Sequence, residues 1–481
     1  MKSYRNDQLA RMRAGETLSR SDQILMVVQL AVPAILAQVS SVIMQYIDAS
    51  MVGHLGAESS AAIGLVSSST WLLDGVSASI GAGFYVQVAH RIGAGEDEKA
   101  RSLVRHGLLT VLAVSVFFSC LAVLIHRQLP LWLGGTAEVS AKASQYFLIF
   151  GLGMPFFNME YAAGGMLQSS GNMKVPSILN IIMCALDVFY NFLFIFPTRT
   201  VRVFGREFTI FGFGMDVAGA ALGTTAAEFT CMIFMLYFLL VRSEKLHLRR
   251  EKTDVSYGDE LKKALKIAWP ISAENALTGG AQVVSTTIVA PLGTAAIAAN
   301  SFAVTAEALC YMPGYGISAA ATTITGQTIG AGRRDLTRHL AFLSTFFGMI
   351  VMGGTGVLMY IFAPQIIGII TQVEEVRDLA VQVLRIEAFA EPMFAASIVA
   401  SGIFRGSGDT LTSTIVNLIC MWAVRLPLAA FLAPKIGLPG VWSAMCFELN
   451  VCGAVFLILL NRKTKKMTER PQDEKEKSAG R

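Results

Sequence analysis

Acidic side chains within long apolar stretches are the residues of this sequence best suited to carry chemistry. Asp48 lies in QYIDASMVG near the end of one stretch, and Asp187 lies mid-way along another, four residues before Asn191. Residues four apart share one face of a helix, so Asn191 can donate a hydrogen bond to Asp187 or share a cation with it. The apolar stretches of this half contain no Lys or Arg near these carboxylates. Burial disfavours the charged form of such a carboxylate, which suits a proton carrier, and carboxylate and amide oxygens equally suit Na⁺.

Other charged residues also fall inside apolar stretches. A charge within hydrocarbon is costly, so each such residue is a functional hypothesis. The acids of the second half are Glu274, Glu307 and Glu391, and weaker candidates are Asp74, Glu160 and Arg425. Glu391 or Glu448 could instead neutralise Arg425 in a structural pair. Glu228 and Glu448 lie in predicted helices without an assigned role.

The elements that position these residues are predicted to be membrane helices. Of the 481 residues, 53% are hydrophobic and 15% are charged, against about 25% charged in an ordinary soluble domain. Runs long enough to span a hydrocarbon core of about 30 Å number twelve. They cover residues 25–50, 58–90, 102–126, 140–166, 175–197, 214–241, 264–290, 296–328, 338–363, 378–403, 411–434 and 438–461. The fold class is therefore an all-α integral membrane protein.

The chain contains one segment twice. Residues 52–103 align without a gap on residues 289–340, an offset of 289 − 52 = 237, with 14 identities in 52 pairs that include IGAG at 92–95 and 329–332. Such self-similarity indicates two related halves of six helices each. The predicted parts are an N-terminal segment 1–24, an N-lobe 25–241, an inter-lobe linker 242–263, a C-lobe 264–461 and a disordered tail 462–481.

Lys and Arg residues cluster in the loops on one side of the predicted membrane. That asymmetry places both termini in the cytoplasm, and with no secretory signal peptide evident we expect a multi-pass protein of the bacterial inner membrane. The basic residues are split between long apolar runs, so no nucleic-acid-binding face is expected. An even number of helices makes the halves parallel, a layout of secondary transporters with the site between halves.

Several function classes lack their motifs. The sequence contains no GxxxxGK[ST] for ATP, no HExxH and no GxSxG. The seven cysteines stand singly, so neither a disulfide frame nor a metal site other than Na⁺ at Asp48 and Asp187 is predicted. We therefore expect no cofactor, no enzymatic activity, and transport driven by an ion gradient.

Seven short motifs are spread along the chain: VGHLG at 52–56, IGAG at 92–95, GGMLQSSGN at 164–172, Pro270-x-x-x-Glu274-Asn275, EALCYMPGYG at 307–316, AATTITGQTIGAG at 320–332 and FRGSGDT at 404–410. In these motifs the chain resembles, over nearly its whole length, the multidrug and toxic compound extrusion (MATE) family, bacterial type. The resemblance implies two six-helix lobes around a central cleft that export cationic, amphipathic compounds in exchange for H⁺ or Na⁺ by alternating access. It also implies that Asp48 and Asp187 belong to the N-lobe cation site.

The sequence departs from the family pattern at some positions. C-lobe acids of some family members align with Thr278 and Phe394, and Glu274 and Glu391 stand about one turn away. Glu274, Glu307 and Glu391 are therefore candidates for substrate binding or for a second ion. Met183 stands where the family has an amide ligand, which favours H⁺ over Na⁺.

The expected partners are small-molecule substrates and the lipid bilayer, and we expect a monomer. Two alternatives stay open. One is a flippase for lipid-linked sugars of the same superfamily, and the other is a membrane-embedded enzyme.

Overall fold

The computed structural model describes residues 8–203, 206–248 and 256–479. The first half begins with a short helix, continues through six long helices and contains one hairpin. Its elements are α1 (Gln8–Arg13), α2 (Arg20–Gly53), α3 (Ala57–Gly93), α4 (Asp97–Ile125), α5 (Gln128–Trp132), α6 (Ala137–Ser169), α7 (Lys174–Ile195), β1 (Pro197–Val203), β2 (Arg206–Phe213) and α8 (Asp216–Tyr237). A π-helical turn, Phe238–Arg242, ends the half.

The second half repeats the six-helix plan with two of its helices divided. Its elements are α9 (Tyr257–Val289), α10 (Thr294–Gly330), α11 (Arg334–Ile370), α12 (Glu374–Glu387), α13 (Glu391–Gly406), α14 (Thr410–Ile419), α15 (Leu426–Ile436) and α16 (Leu438–Ala479), with a 3-10 turn at Ala290–Leu292. The predicted tenth helix is broken between Glu387 and Glu391. The predicted eleventh contains a π-helical turn, Cys420–Arg425, between α14 and α15.

The described residues contain nine helices that are long and apolar enough to cross a membrane by length and composition. α6, α9 and the broken pair α12–α13 complete the twelve predicted helices. Polar and small residues inside these helices, such as Glu274 and Asn275 in α9 and Asn158 and Glu160 in α6, lower their mean hydropathy. The prediction of an all-α membrane protein with two six-helix lobes is confirmed.

A β-hairpin separates α7 from α8, where the sequence predicts only a loop. β1 and β2 pair antiparallel, from Pro197 opposite Phe213 to Val203 opposite Arg206. The β-branched and aromatic residues of these segments favour an extended backbone. The basic residues Arg199, Arg202 and Arg206 all fall on the hairpin.

The two lobes meet where α2 packs on α10 and where α3 packs on α9 and α10. At the end where the termini lie, a Cβ on Gly93 would be 2.2 Å from the carbonyl oxygen of Gln327, and a Cβ on Gly330 would be 2.1 Å from that of His90. The offset relates Gly93 to Gly330 (93 + 237 = 330) and His90 to Gln327 (90 + 237 = 327). The duplicated segments therefore contact each other reciprocally, about a pseudo-twofold axis.

Segment boundaries differ from the sequence prediction at three places. The N-terminal segment contains α1, whose Leu9 and Met12 are buried. α9 begins at Tyr257, inside the predicted linker 242–263, and α16 continues as helix to Ala479, across the boundary expected after residue 461. Residues 1–7, 249–255 and 480–481 of these predicted segments lie outside the described residues.

Candidate functional site

The predicted N-lobe residues Asp48, Asp187 and Asn191 come together in the structure. Asn191 Nδ2 donates to Asp48 Oδ1 at 3.0 Å and to Asp187 Oδ2 at 3.0 Å. Asp187 and Asn191 are one turn apart on α7, and Asp48 reaches them from the C-terminal part of α2. One amide group therefore bridges two carboxylates that belong to different helices.

Close packing of α8 on α7 fixes the position of the bridging amide. A Cβ on Gly223 would lie 2.1 Å from Asn191 Oδ1, so this position of α8 accommodates no larger residue without a shift. A Cβ on Gly219, one turn earlier, would lie 2.5 Å from the carbonyl oxygen of Phe194, so α8 also approaches the backbone of α7 closely there. Small residues at a helix interface let backbones approach closely in membranes. The spacing of these two glycines thus places Asn191 against Asp48.

The site has oxygen acceptors to spare. Within the described part of the chain, Asp187 Oδ1 and Asn191 Oδ1 are buried and have no hydrogen-bond partner. Asp48 and Asn191 line a cavity of about 590 Å³, called here the N-lobe cavity, which Tyr146 and Thr224 also line. Buried polar atoms normally have partners. Asn191, in the cavity lining, and Asp187, buried behind it, therefore offer free oxygens to a proton or a cation that enters from the cavity.

A second set of acidic residues lies between the N-lobe cavity and the boundary with the C-lobe. Asp74, Glu160 and Glu228 line a cavity of about 480 Å³ at the boundary between the lobes, called here the interlobe cavity, and Asp74 and Glu228 also line the N-lobe cavity. Asn158 lines it too, and its Oδ1 is buried without a partner. Asp74 and Glu160 were predicted as weaker candidates. Glu228 was assigned no role, although its position inside an apolar helix was the available signal.

Arg405 is the basic residue in the lining of the interlobe cavity, and it belongs to the FRGSGDT motif but is not among the predicted site residues. It lies in α13, and its Nη2 donates to Glu274 Oε1 at 3.4 Å. Glu274 also accepts from Thr414 Oγ1 at 2.9 Å and from Asn417 Nδ2 at 2.7 Å. Both carboxylate oxygens of Glu274 are thus bonded. It is the most fully partnered of the three predicted C-lobe acids.

Glu307 and Arg425 line a cavity of about 290 Å³ within the second half, called here the C-lobe cavity, together with Glu448. Among the described residues Arg425 forms no ion pair within 4.0 Å, and its Nη2 contacts Met445 Sδ. The structural pairing of Arg425 with Glu391 or Glu448, considered from the sequence, is therefore absent from this arrangement. Thr278 and Phe394 line the same cavity.

Glu391 lies apart from the C-lobe cavity, at the break between α12 and α13. It is fully buried, as is Glu387 at the other side of the break, and neither carboxylate has a hydrogen-bond partner among the described residues. The sequence predicts a role for Glu391 but not for Glu387. The break that places these two residues at the facing ends of α12 and α13 is not predicted. The structure thus brings Glu274 and Glu307 to the same C-lobe cavity and leaves Glu391 apart from it.

The fold also assembles a cluster that the sequence did not suggest. Cys420, Glu448 and Cys452 are buried, and their ligand atoms lie within 4.8 Å of one another. They come from two helices that are adjacent in the C-lobe, so no short sequence motif announces them. The prediction of no metal site beyond Na⁺ relied on such motifs.

Comparison with known proteins shows which family has this architecture. A family model described as MatE matches residues 33–193 and, separately, residues 270–431. The chain belongs to the MATE family. The two matches begin 270 − 33 = 237 residues apart, which is the offset of the internal repeat. MATE proteins are transporters, so the expectation of a non-enzymatic, multi-pass membrane protein is confirmed.

Relatives and solved structures agree over most of the chain. It is 25% identical over 428 residues to a Thermotoga maritima protein named probable multidrug resistance protein NorM, covering 88% of this chain and 89% of that one. A Pseudomonas aeruginosa protein of the same name is 26% identical, with 90% and 88% covered. The crystal structure of a variant of VcmN, a MATE transporter of Vibrio cholerae, superposes with a TM-score of 0.85 at 18% identity, covering 93% of this chain and 98% of that one. These structures share the fold.

Proposed function

We propose that this MATE protein is a multidrug efflux antiporter that exports cationic, amphipathic compounds in exchange for H⁺ or Na⁺. The observation that carries the proposal is the bridge from Asn191 to Asp48 and Asp187, which opens on the N-lobe cavity. The names of the relatives, which describe multidrug resistance, support the same substrate class. We further propose a monomer in the bacterial inner membrane with both termini in the cytoplasm.

The coupling step follows from the geometry of the bridge. Asn191 Nδ2 satisfies one oxygen of each carboxylate, which leaves Asp187 Oδ1 to take a proton or to contact an ion. Binding of the cation reduces the negative charge that holds a cationic substrate in the N-lobe cavity. Ion and substrate therefore depend on the same negative charge, and each weakens binding of the other. This is the thermodynamic coupling that an exchanger requires.

Alternating access requires that the lobes separate at one end and approach at the other. They are in contact at the end where the termini lie, through Gly93 and Gly330. With cytoplasmic termini, this arrangement corresponds to a state open to the outside. In the proposed cycle, ion binding at Asp48 and Asp187 bends α2 and reshapes the N-lobe cavity, so that substrate leaves outward.

We favour H⁺ over Na⁺ as the coupling ion. Met183, one turn before Asp187 on α7, brings a thioether where an amide oxygen would serve Na⁺. Hard cations prefer oxygen ligands, whereas a proton needs one acceptor. Glu274 neutralises Arg405, and the lining of the interlobe cavity carries three carboxylates, which argues against a flippase for pyrophosphate-linked sugars.

The test is transport by the purified protein in proteoliposomes, with a pH gradient or a Na⁺ gradient imposed separately. We expect a pH gradient to drive efflux of a cationic dye, and Asp48→Asn and Asp187→Asn to abolish it while the protein remains folded. Asp378→Asn is the matched control, because the Asp378 side chain is 69% exposed and distant in sequence from the site. Gradient-driven efflux that persists in Asp48→Asn would overturn the site assignment.

A further inference from the structure

Two thiols and one carboxylate converge in the C-lobe. Cys420 Sγ, Cys452 Sγ and an oxygen of Glu448 lie within 4.8 Å of one another. All three residues are buried, with exposed fractions of 4%, 3% and 4%. Two sulfurs and a carboxylate oxygen are a ligand set for a borderline-soft metal, not for Na⁺, Mg²⁺ or Ca²⁺.

Two features of helix geometry assemble the cluster. Glu448 and Cys452 are four residues apart on α16 and share one face of that helix. Cys420 is the first residue of the π-helical turn Cys420–Arg425. A π-helical turn re-aims side chains relative to a regular helix, and such turns occur frequently at functional sites.

The carboxylate of Glu448 points to a missing ligand. It has no hydrogen bond and no ion pair within 4.0 Å in the part of the chain that the structure describes, although the residue is buried. Glu448 and Cys452 both line the C-lobe cavity. The carboxylate of Glu448 is therefore accessible to a ligand that enters this cavity. The cavity also gives an ion a route to the cluster.

Asn417 supplies a fourth position. Cys452 Sγ donates to Asn417 Oδ1 at 3.7 Å, while Asn417 Nδ2 donates to Glu274 Oε1 at 2.7 Å. The second bond fixes the orientation of the amide, so that its oxygen faces Cys452. Metal bonds of about 2.0–2.3 Å in a tetrahedron separate neighbouring ligand atoms by roughly 3.5 Å. The separation of Cys452 Sγ from Asn417 Oδ1 is close to that value, and the other three ligand atoms, which lie within 4.8 Å of one another, would move closer together on binding.

We infer that Cys420, Cys452 and Glu448, with Asn417 Oδ1 as the fourth ligand, form a binding site for a divalent cation of the Zn²⁺ or Cd²⁺ class. Both thiols release their protons to solvent when the two metal–sulfur bonds form. Two thiolates, one carboxylate and a divalent ion carry a net charge of −1. Arg425 lines the same cavity and balances that charge, which suits the low-dielectric surroundings.

The site is separate from the proposed coupling pair, which lies in the other lobe. An ion here would tie α14 to α16 through their side chains and would lie beside Glu274, the partner of Arg405. The inference therefore concerns binding, and it stands whether or not Asp48 and Asp187 couple transport.

The experiment is a Cd²⁺ titration of the purified, reduced full-length protein, followed by the ultraviolet charge-transfer absorption of cadmium–thiolate bonds. The background is Cys120→Ser, because Cys120 is the exposed cysteine. We expect one equivalent of Cd²⁺ to bind, Zn²⁺ to displace it, and Ca²⁺ or Mg²⁺ in excess to have no effect. Cys420→Ser and Cys452→Ser should each remove the high-affinity absorption, and Glu448→Gln should weaken binding.

Control variants separate the site from the other thiols. Cys184→Ser and Cys310→Ser remove buried cysteines elsewhere and should leave the titration unchanged. Asn417→Ala should weaken binding by about 10- to 100-fold, as loss of a weak or orienting ligand does. A thiol count and a thermal unfolding curve without metal establish that each variant is reduced and folded. Absence of the absorption in the reduced parent protein, or its persistence in both Cys420→Ser and Cys452→Ser, would overturn the inference.

Discussion

Gly93 packs against Gln327 so closely that a Cβ at residue 93 would lie 2.2 Å from the carbonyl oxygen of Gln327. The repeat-related residues Gly330 and His90 make the same contact, at 2.1 Å. Both glycines belong to an IGAG segment that the chain contains twice. The duplication is therefore visible in the tertiary structure as a matched pair of contacts that close one end of the transporter.

Gly93→Ala should destabilise the closed end. The added methyl group meets backbone, which cannot rotate away, and overpacking of this kind costs about 1–3 kcal/mol. A shift of that size changes an equilibrium between two states by about 5- to 150-fold. We expect a longer distance between spin labels on the two lobes at this end, and slower transport.

Gly354→Ala is the matched control for this substitution. Gly354 lies inside α11, and a Cβ there meets nothing within 4 Å. It should leave the inter-lobe distance unchanged. Equal distances in Gly93→Ala and Gly354→Ala would show that the contact does not control closure.

A second reciprocal pair reinforces the same end. His90 Nε2 hydrogen-bonds the carbonyl oxygen of Gly406 at 2.8 Å, and Gln327 Nε2 donates to that of Ser169 at 2.7 Å. The offset relates both members, since 90 + 237 = 327 and 169 + 237 = 406. Each lobe thus donates one side-chain hydrogen bond to a helix end in the other lobe.

His90→Ala should weaken the closed state by about 1 kcal/mol, the net value of one hydrogen bond. Gln327→Ala should cost somewhat more, because Gln327 Oε1 also accepts from Arg13 Nη1 at 3.3 Å. The double variant should show about the sum, because the two acceptors belong to different lobes. His54→Ala, which removes an exposed histidine, is the control. The readout is again the inter-lobe distance. If the double variant kept the parent distribution, these bonds would not contribute to closure.

Gly223→Ala should disturb the proposed coupling site without changing Asp48, Asp187 or Asn191. The methyl group would meet Asn191 Oδ1 at 2.1 Å and displace the amide from Asp48 and Asp187. We expect the loss of gradient-driven efflux that Asn191→Ala also causes, with the folded protein retained. Gly64→Ala, where a Cβ meets nothing within 4 Å, should transport normally. Normal coupling in Gly223→Ala would mean that the bridging amide is dispensable.

The acidic residues of the interlobe cavity should determine how strongly the transporter prefers cationic substrates. Glu160→Gln and Glu228→Gln each remove from the lining one carboxylate that a bound cationic substrate would hold in its ionised form. At an effective dielectric constant near 20, one charge at roughly 12 Å contributes about 1.4 kcal/mol, or about tenfold in affinity. We expect the KM of a dicationic substrate to rise about twice as much, on a logarithmic scale, as that of a monocation.

A neutral amphipathic substrate provides the internal control for that experiment, since its KM should not change. Glu58→Gln, at an exposed position of the first turn of α3, provides the matched variant. An equal rise in KM for neutral and cationic substrates would indicate a general loss of cavity shape instead of a loss of charge.

The membrane class, the helix count and the duplication were readable from the sequence, because each depends on local properties. Apolar runs of sufficient length dictate membrane helices, and an unbroken alignment at one offset dictates related halves. The pair Asp187 and Asn191 was also accessible, since their spacing of four places them on one face of α7. Asp48 could be predicted as a site residue because a carboxylate is rare within an apolar helix, and because the family resemblance implies it.

Relationships between helices came only from the tertiary structure. Three arrangements join residues on different helices: the bond from Asn191 to Asp48, the bonds that Glu274 accepts from Arg405, Thr414 and Asn417, and the approach of Cys420 to Glu448 and Cys452. The break before Glu391 escaped prediction because the apolar run continues through it. The sequence alone shows which residues lie in membrane-spanning helices, because that follows from local hydrophobicity. Only the packing of helices decided which of those buried groups have partners, because a partner is a property of distance in space.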